Sequence, residues 1–120
     1  SYTGNPLACR AALAVLDIFD TDRVIAANRI KAQEFTGLLA EVAAHPRVRH
    51  FRQRGMIWAF DVADAASGFA ERFHRRALAQ GVFIRPIGNT VYVMPPYVTS
   101  VDDMRGLAAA LLDGLAHPDN

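Results

Sequence analysis

An α+β fold is predicted, with helices packed on one face of a small, mainly antiparallel sheet. Three observations carry it. Helical periodicity dominates both ends of the chain, two short extended runs sit in the middle around Arg54-Gly55, and two more flank Pro86-Ile87-Gly88-Asn89. The resulting order is α-α-β-β-α-β-β-α, a two-layer arrangement around one core. The chain has 120 residues, 52% of them hydrophobic and 21% charged, enough for one compact unit.

Asn5-Pro6 opens the first helix. Asn can accept from free N–H groups, and Pro at the first helical position lacks only an N–H that would be unpaired anyway. Residues 7–19 are apolar nearly all round, so this helix is expected to be covered by something outside the chain. Thr21 is read as the cap of a longer second helix running to about residue 44, with Phe35, Leu38, Leu39 and Val42 on one face and His45-Pro46 as its stop. Segments 48–53 and 56–62 read as strands. Ser67 is read as opening a third helix, which places Phe69, Phe73, Ala77 and Leu78 inward and stops at Gly81. Segments 82–84 and 90–94 read as two further strands. Ser100-Val101-Asp102-Asp103 resembles a capping box, and its helix turns Met104, Leu107, Leu111 and Leu115 inward.

Composition excludes several classes. A net charge of +1 projects no strong field toward nucleic acid or an anionic membrane. No apolar run reaches the roughly 20 residues a membrane span needs. Cys9 is the lone cysteine, which fits a reducing compartment, and a cytoplasmic location is expected. His45, His50, His74 and His117 form no close ligand pair, so no metal site is expected. Lys31, the only lysine, lies mid-helix among polar neighbours and reads as part of a solvated face. Asp17, Asp20 and Asp22 surround a turn between helices.

Two residues hold more chemical interest. Arg85 interrupts an apolar strand and precedes Pro86. Its planar fork suits a carboxylate, but from composition alone a structural ion pair or an outward-facing edge residue is the commoner explanation. Tyr92 lies on the next strand and either shares the face of Arg85 or simply packs in the sheet. Ser1-Tyr2-Thr3-Gly4, ahead of a helix start, offers hydroxyls and N–H groups to a phosphate, although such residues are more often caps.

Three stretches together resemble the class-III aminotransferases of fold type I, which use pyridoxal 5'-phosphate (PLP). They are the opening Ser1-Tyr2-Thr3-Gly4-Asn5-Pro6-Leu7-Ala8-Cys9, the run Arg52-Gln53-Arg54-Gly55-Met56-Ile57-Trp58, and Gly81-Val82-Phe83-Ile84-Arg85-Pro86-Ile87-Gly88 through Tyr92-Val93-Met94-Pro95-Pro96-Tyr97. The last run is similar to the branch that takes S-adenosylmethionine as amino donor and 8-amino-7-oxononanoate as acceptor. The resemblance implies a homodimeric biosynthetic enzyme of which this is the C-terminal part. Residues 1–20 would join the large domain or dimer interface, and 21–120 would form the small domain. By the same resemblance, Ser1 touches the PLP phosphate of the partner subunit, Arg85 grips the substrate carboxylate and Tyr92 borders the substrate. The cofactor-bearing lysine is implied to lie upstream, leaving no catalytic residue within these 120 positions.

Overall fold

The structure, a computed structural model, describes residues 4–117. The elements follow in the order α1 (Pro6–Thr21), α2 (Val24–Leu38), α3 (Ala40–Ala44), β1 (Val48–Arg54), β2 (Ile57–Val62), α4 (Phe69–Ala79), β3 (Thr90–Val93) and α5 (Val101–Ala116). The strands form one antiparallel sheet in the order β1-β2-β3. Trp58, Phe60 and Val62 alternate inward along β2, and their register partners Val93, Val91 and Val48 point the same way. This inner face meets Phe35 and Leu39 near the end of α2, Phe73 of α4, and Met104 and Leu111 of α5, all buried. Trp58 keeps its indole N–H satisfied by donating to Thr36 Oγ at 2.9 Å.

Several local signals act as their chemistry dictates. Asn5 Oδ1 accepts from the Leu7 amide at 3.0 Å, with Pro6 in the first turn. Ser100 and Asp103 exchange both capping-box bonds, a motif whose cap residue is worth about 1 kcal/mol. The Ser100 hydroxyl and amide hold the Asp103 carboxyl below the usual carboxylate range. His45 takes the extended backbone that a following proline requires, and the helix ends there.

Other expectations are corrected. Thr21 caps nothing: α1 runs through it, and the chain reverses at Asp22 and Arg23, the latter left-handed at φ 48°. The long second helix is broken at Leu39, whose amide is shared between the Phe35 and Thr36 carbonyls as Leu39 itself turns into the core. Ser67 lies one residue before the Gly68 cap of α4. Segment 82–84 pairs with no strand, so among the described residues the sheet has three strands, with a single Ile87–Thr90 bridge beyond them. The backbone bonds of that segment go to α4 instead.

The apolar first helix is uncovered. None of its described residues is buried, and Leu7, Leu13 and Leu16 are 82%, 53% and 63% exposed. No helix among the described residues is long and apolar enough to cross a membrane.

Candidate functional site

An open cleft of about 590 Å³ gathers two of the residues singled out above, Arg85 and Tyr92. Segment 81–85 forms one wall, Tyr92 through Pro96 the second, and the first turns of α5 the third. Each wall is set by local chemistry.

The first wall begins where α4 stops. Gly81 adopts φ 77°, and its amide returns to the Leu78 carbonyl at 2.9 Å while the Val82 amide reaches Ala77 at 3.0 Å. This is a Schellman ending, and it needs the left-handed conformation that glycine takes without strain. From there the chain runs extended and alternates. Ile84 is buried, whereas Phe83 and Arg85 point out. Pro86 keeps Arg85 extended. A tight two-residue turn at Gly88 (φ 60°) and Asn89 follows, closed by paired Ile87–Thr90 bonds at 2.9 Å. The chain returns as β3, whose outward positions are Thr90 and Tyr92. The structure therefore brings Arg85 and Tyr92 to the same cleft.

Arg85 is not buried among apolar side chains, as a guanidinium inside a strand would be; it is exposed. Among the described residues it makes no hydrogen bond or ion pair. The two carboxylates on the opposite wall are engaged elsewhere. Asp102 accepts from Arg105 at 2.6 Å, and Asp103 is held by Ser100 in the capping box. The cleft is thus lined by a guanidinium with no partner among the described residues and by the Tyr92 ring, with Phe83 and Met94 offering exposed apolar surface. An acid with an alkyl body fits this combination.

The sheet's outer face carries a separate polar cluster. Asp61 accepts from His50 at 2.9 Å, from Thr90 at 2.8 Å and from Arg52 at 3.3 Å. These bonds, that of His50 foremost, hold its carboxyl below the usual range. The cluster ties β1, β2 and β3 together and lies outside the lining of the cleft. Among the described residues, no group of three or more His, Cys, Asp or Glu is placed to hold a metal ion.

Ser1 lies outside the described residues. Lys31 is not the solvated side chain that its neighbours in sequence imply. It is half-buried, and its ammonium donates to the carbonyls of Tyr97 and Thr99, joining α2 to the loop ahead of α5. A lysine so engaged is unsuited to carry PLP, and the described residues hold no other lysine. They therefore do not fit the cofactor's attachment site.

One residue behind this cleft, outside its lining, escaped sequence reasoning. His74 of α4 places Nδ1 2.6 Å from the Ile84 carbonyl and its ring edge-on to Phe83, with centroids 5.3 Å apart. A single histidine on an amphipathic helix gives no periodic or spacing signal of such a role.

A small α+β domain of this architecture recurs in solved transaminases. The sequence matches the class-III aminotransferase family over residues 1–115, and the chain belongs to that family. Two relatives are each called adenosylmethionine-8-amino-7-oxononanoate aminotransferase. That of Helicobacter pylori is 32% identical over 94% of this chain and 27% of its own. That of Geobacter sulfurreducens is 38% identical over 96% of this chain and 26% of its own. The crystal structure of the enzyme of that name from Methanocaldococcus jannaschii superposes with a TM-score of 0.89 at 28% identity, covering 100% of this chain and 30% of that one. A PLP-bound amine transaminase from an uncultivated Pseudomonas species superposes at 0.80 with 32% identity, over 98% of this chain and 29% of its own. The chain spans roughly a quarter of the length of the curated relatives it matches.

Proposed function

We propose that this chain is the small-domain portion of an aminotransferase that moves the amino group of S-adenosylmethionine onto the ketone of 8-amino-7-oxononanoate, giving 7,8-diaminononanoate. The observation that carries the reading is the exposed, unpartnered Arg85 beside Tyr92 in the cleft. The acceptor is a keto acid with an alkyl chain, and the cleft offers a cation for the carboxylate and apolar surface for the chain. The names of the relatives support the donor and the acceptor. PLP supplies the electron sink for such chemistry when bound. Its lysine is assigned to sequence outside this chain, and Ser1 to the phosphate of the partner subunit. Helix α1 is assigned to the junction with the large domain or the dimer interface, and residues 21–120 to the small domain.

The test is steady-state kinetics of the full-length enzyme on the keto acid and on its methyl ester. Arg85→Ala is expected to lower kcat/KM for the acid by about 30–150-fold, the loss of a charge-assisted contact of roughly 2–3 kcal/mol. It should leave little discrimination between acid and ester, with the cofactor absorbance unchanged. Wild-type preference for the acid in that variant would overturn the assignment of Arg85. A second reading, an amine transaminase, is favoured by the 32% identity to the Pseudomonas structure. It predicts turnover with simple amine donors in place of S-adenosylmethionine.

A further inference from the structure

The geometry points to His74 as a positioning residue that sets Arg85 for the substrate carboxylate, through its hydrogen bond to the Ile84 carbonyl and its edge contact with Phe83. This rests on the reading of Arg85 given above. Segment 82–86 hangs between two fixed ends, the Schellman stop at Gly81 and the turn at Gly88. Along it, the described residues provide only two backbone hydrogen bonds. One is the Val82 amide to Ala77, which belongs to the helix end. The other is the Ile84 carbonyl to His74 Nδ1 at 2.6 Å.

The second bond is placed where it matters. The Ile84 carbonyl belongs to the peptide that leads directly into Arg85, so fixing it fixes the plane from which the arginine side chain departs. The carbonyl can only accept, so Nδ1 must carry a proton and donate. The imidazole comes from α4, which Phe69, Phe73 and Ala77 anchor in the core. Rigid core is thereby connected to an otherwise unpaired strip of chain. The Phe83 ring, 71% exposed, stands edge-on to the same imidazole at an interplanar angle of 85°. Both residues flanking the Ile84 side chain are therefore referred to one histidine. His74 itself does not line the cleft and touches no reacting group.

Two substitutions in the full-length enzyme separate the bond from the packing. His74→Phe keeps a ring against Phe83 and removes the donor. His74→Asn removes the ring and leaves an N–H near the place of Nδ1. The readout is the ratio of kcat/KM for the keto acid to that for its methyl ester, which does not depend on the fraction of folded enzyme. His74→Phe is expected to reduce this ratio about 3–10-fold, the worth of one positioned hydrogen bond, mainly through KM for the acid. His74→Asn is expected to restore most of it. In the Arg85→Ala background, His74→Phe should change the ratio no further. A wild-type ratio in His74→Phe, or an equal loss in the Asn and Phe variants, would overturn the role of His74 while leaving Arg85 as the clamp. An unchanged ratio in Arg85→Ala alone would overturn both.

Discussion

Asp113 of α5 accepts from Arg76 of α4 through both carboxylate oxygens, at 2.5 Å from Nε and 2.9 Å from Nη2. Gln80 adds a third donor at 2.7 Å. The fork clamps two of the helices that cover the sheet, and Arg76 holds the Asp113 carboxyl below its usual range. A depressed carboxylate stabilises the fold above its unfolded pKa, and that contribution disappears as pH falls through the folded value. Wild type should therefore melt above Asp113→Asn at pH 7, and the gap should close as pH falls below the ordinary carboxylate range of about 4. Asp61 and Asp103 shift in the same direction, so acid destabilisation should exceed that of Asp113 alone. Melting temperatures of the two proteins across pH 3 to pH 7, in steps of about half a unit, check this.

The same helix pair is intolerant of one methyl group. A Cβ on Gly114 would stand 2.6 Å from the Phe73 ring, which is itself buried. Gly114→Ala gains up to about 1 kcal/mol of helix propensity but forces a close-packed ring aside, at roughly 1–3 kcal/mol. A net loss of stability is expected, read as a lower midpoint in urea. Gly106→Ala on the same helix meets nothing within 4 Å and should stabilise slightly.

Lys31→Met removes the bridge from α2 to the Tyr97 and Thr99 carbonyls. The loss is expected to be about 0.5–1.5 kcal/mol, because the partners remain accessible to water. In the full-length enzyme, cofactor absorbance should be unaffected. Absorbance lost together with activity would assign Lys31 a place in the chemistry that its hydrogen bonds deny.

Arg85→Lys tests the shape of the clamp rather than its charge. An ammonium is a point donor and cannot reproduce a two-pronged contact. The variant is expected to recover part of the acid preference lost in Arg85→Ala, with KM for the acid still several-fold above wild type. Full recovery would mean that charge alone suffices.

Helix α1 exposes Leu13, Leu16 and Ile18 to water, and apolar surface of this extent marks a contact. The isolated chain is expected to self-associate. The double substitution Leu13→Glu with Leu16→Glu should return it to monomer in sedimentation, with little change in melting temperature, since neither side chain is buried.

What was legible in the sequence was chemistry acting over a few residues. Asn5-Pro6, His45-Pro46, Gly81 and the Ser100–Asp103 box each announce a helix end through a bond formed within one turn. What was not legible depended on distant partners. The apolar periodicity through Leu38 and Leu39 contains no sign of the break, because burial of Leu39 bends the helix. Segment 82–84 has the composition of a strand, yet its backbone finds α4 rather than another strand. Lys31 looks solvated until a loop more than sixty residues later folds over it. That Arg85 and Tyr92 reach one cleft was legible because the turn at Gly88 returns the chain on itself within a few residues. His74 was not, since its bond to Ile84 joins a helix to a segment without regular structure.

The sparse bonding of the first cleft wall has a consequence for exchange with solvent. The amides of Phe83, Ile84 and Arg85 have no acceptor among the described residues, whereas those of Val82 and Thr90, on either side, are bonded. Deuterium should therefore enter the three-residue strip on the timescale of an open loop while its flanks stay protonated with the core. An acid held by Arg85 would still the strip between two anchors that are already fixed. Its occupancy would then be readable as slowed exchange at these three positions, with no turnover required.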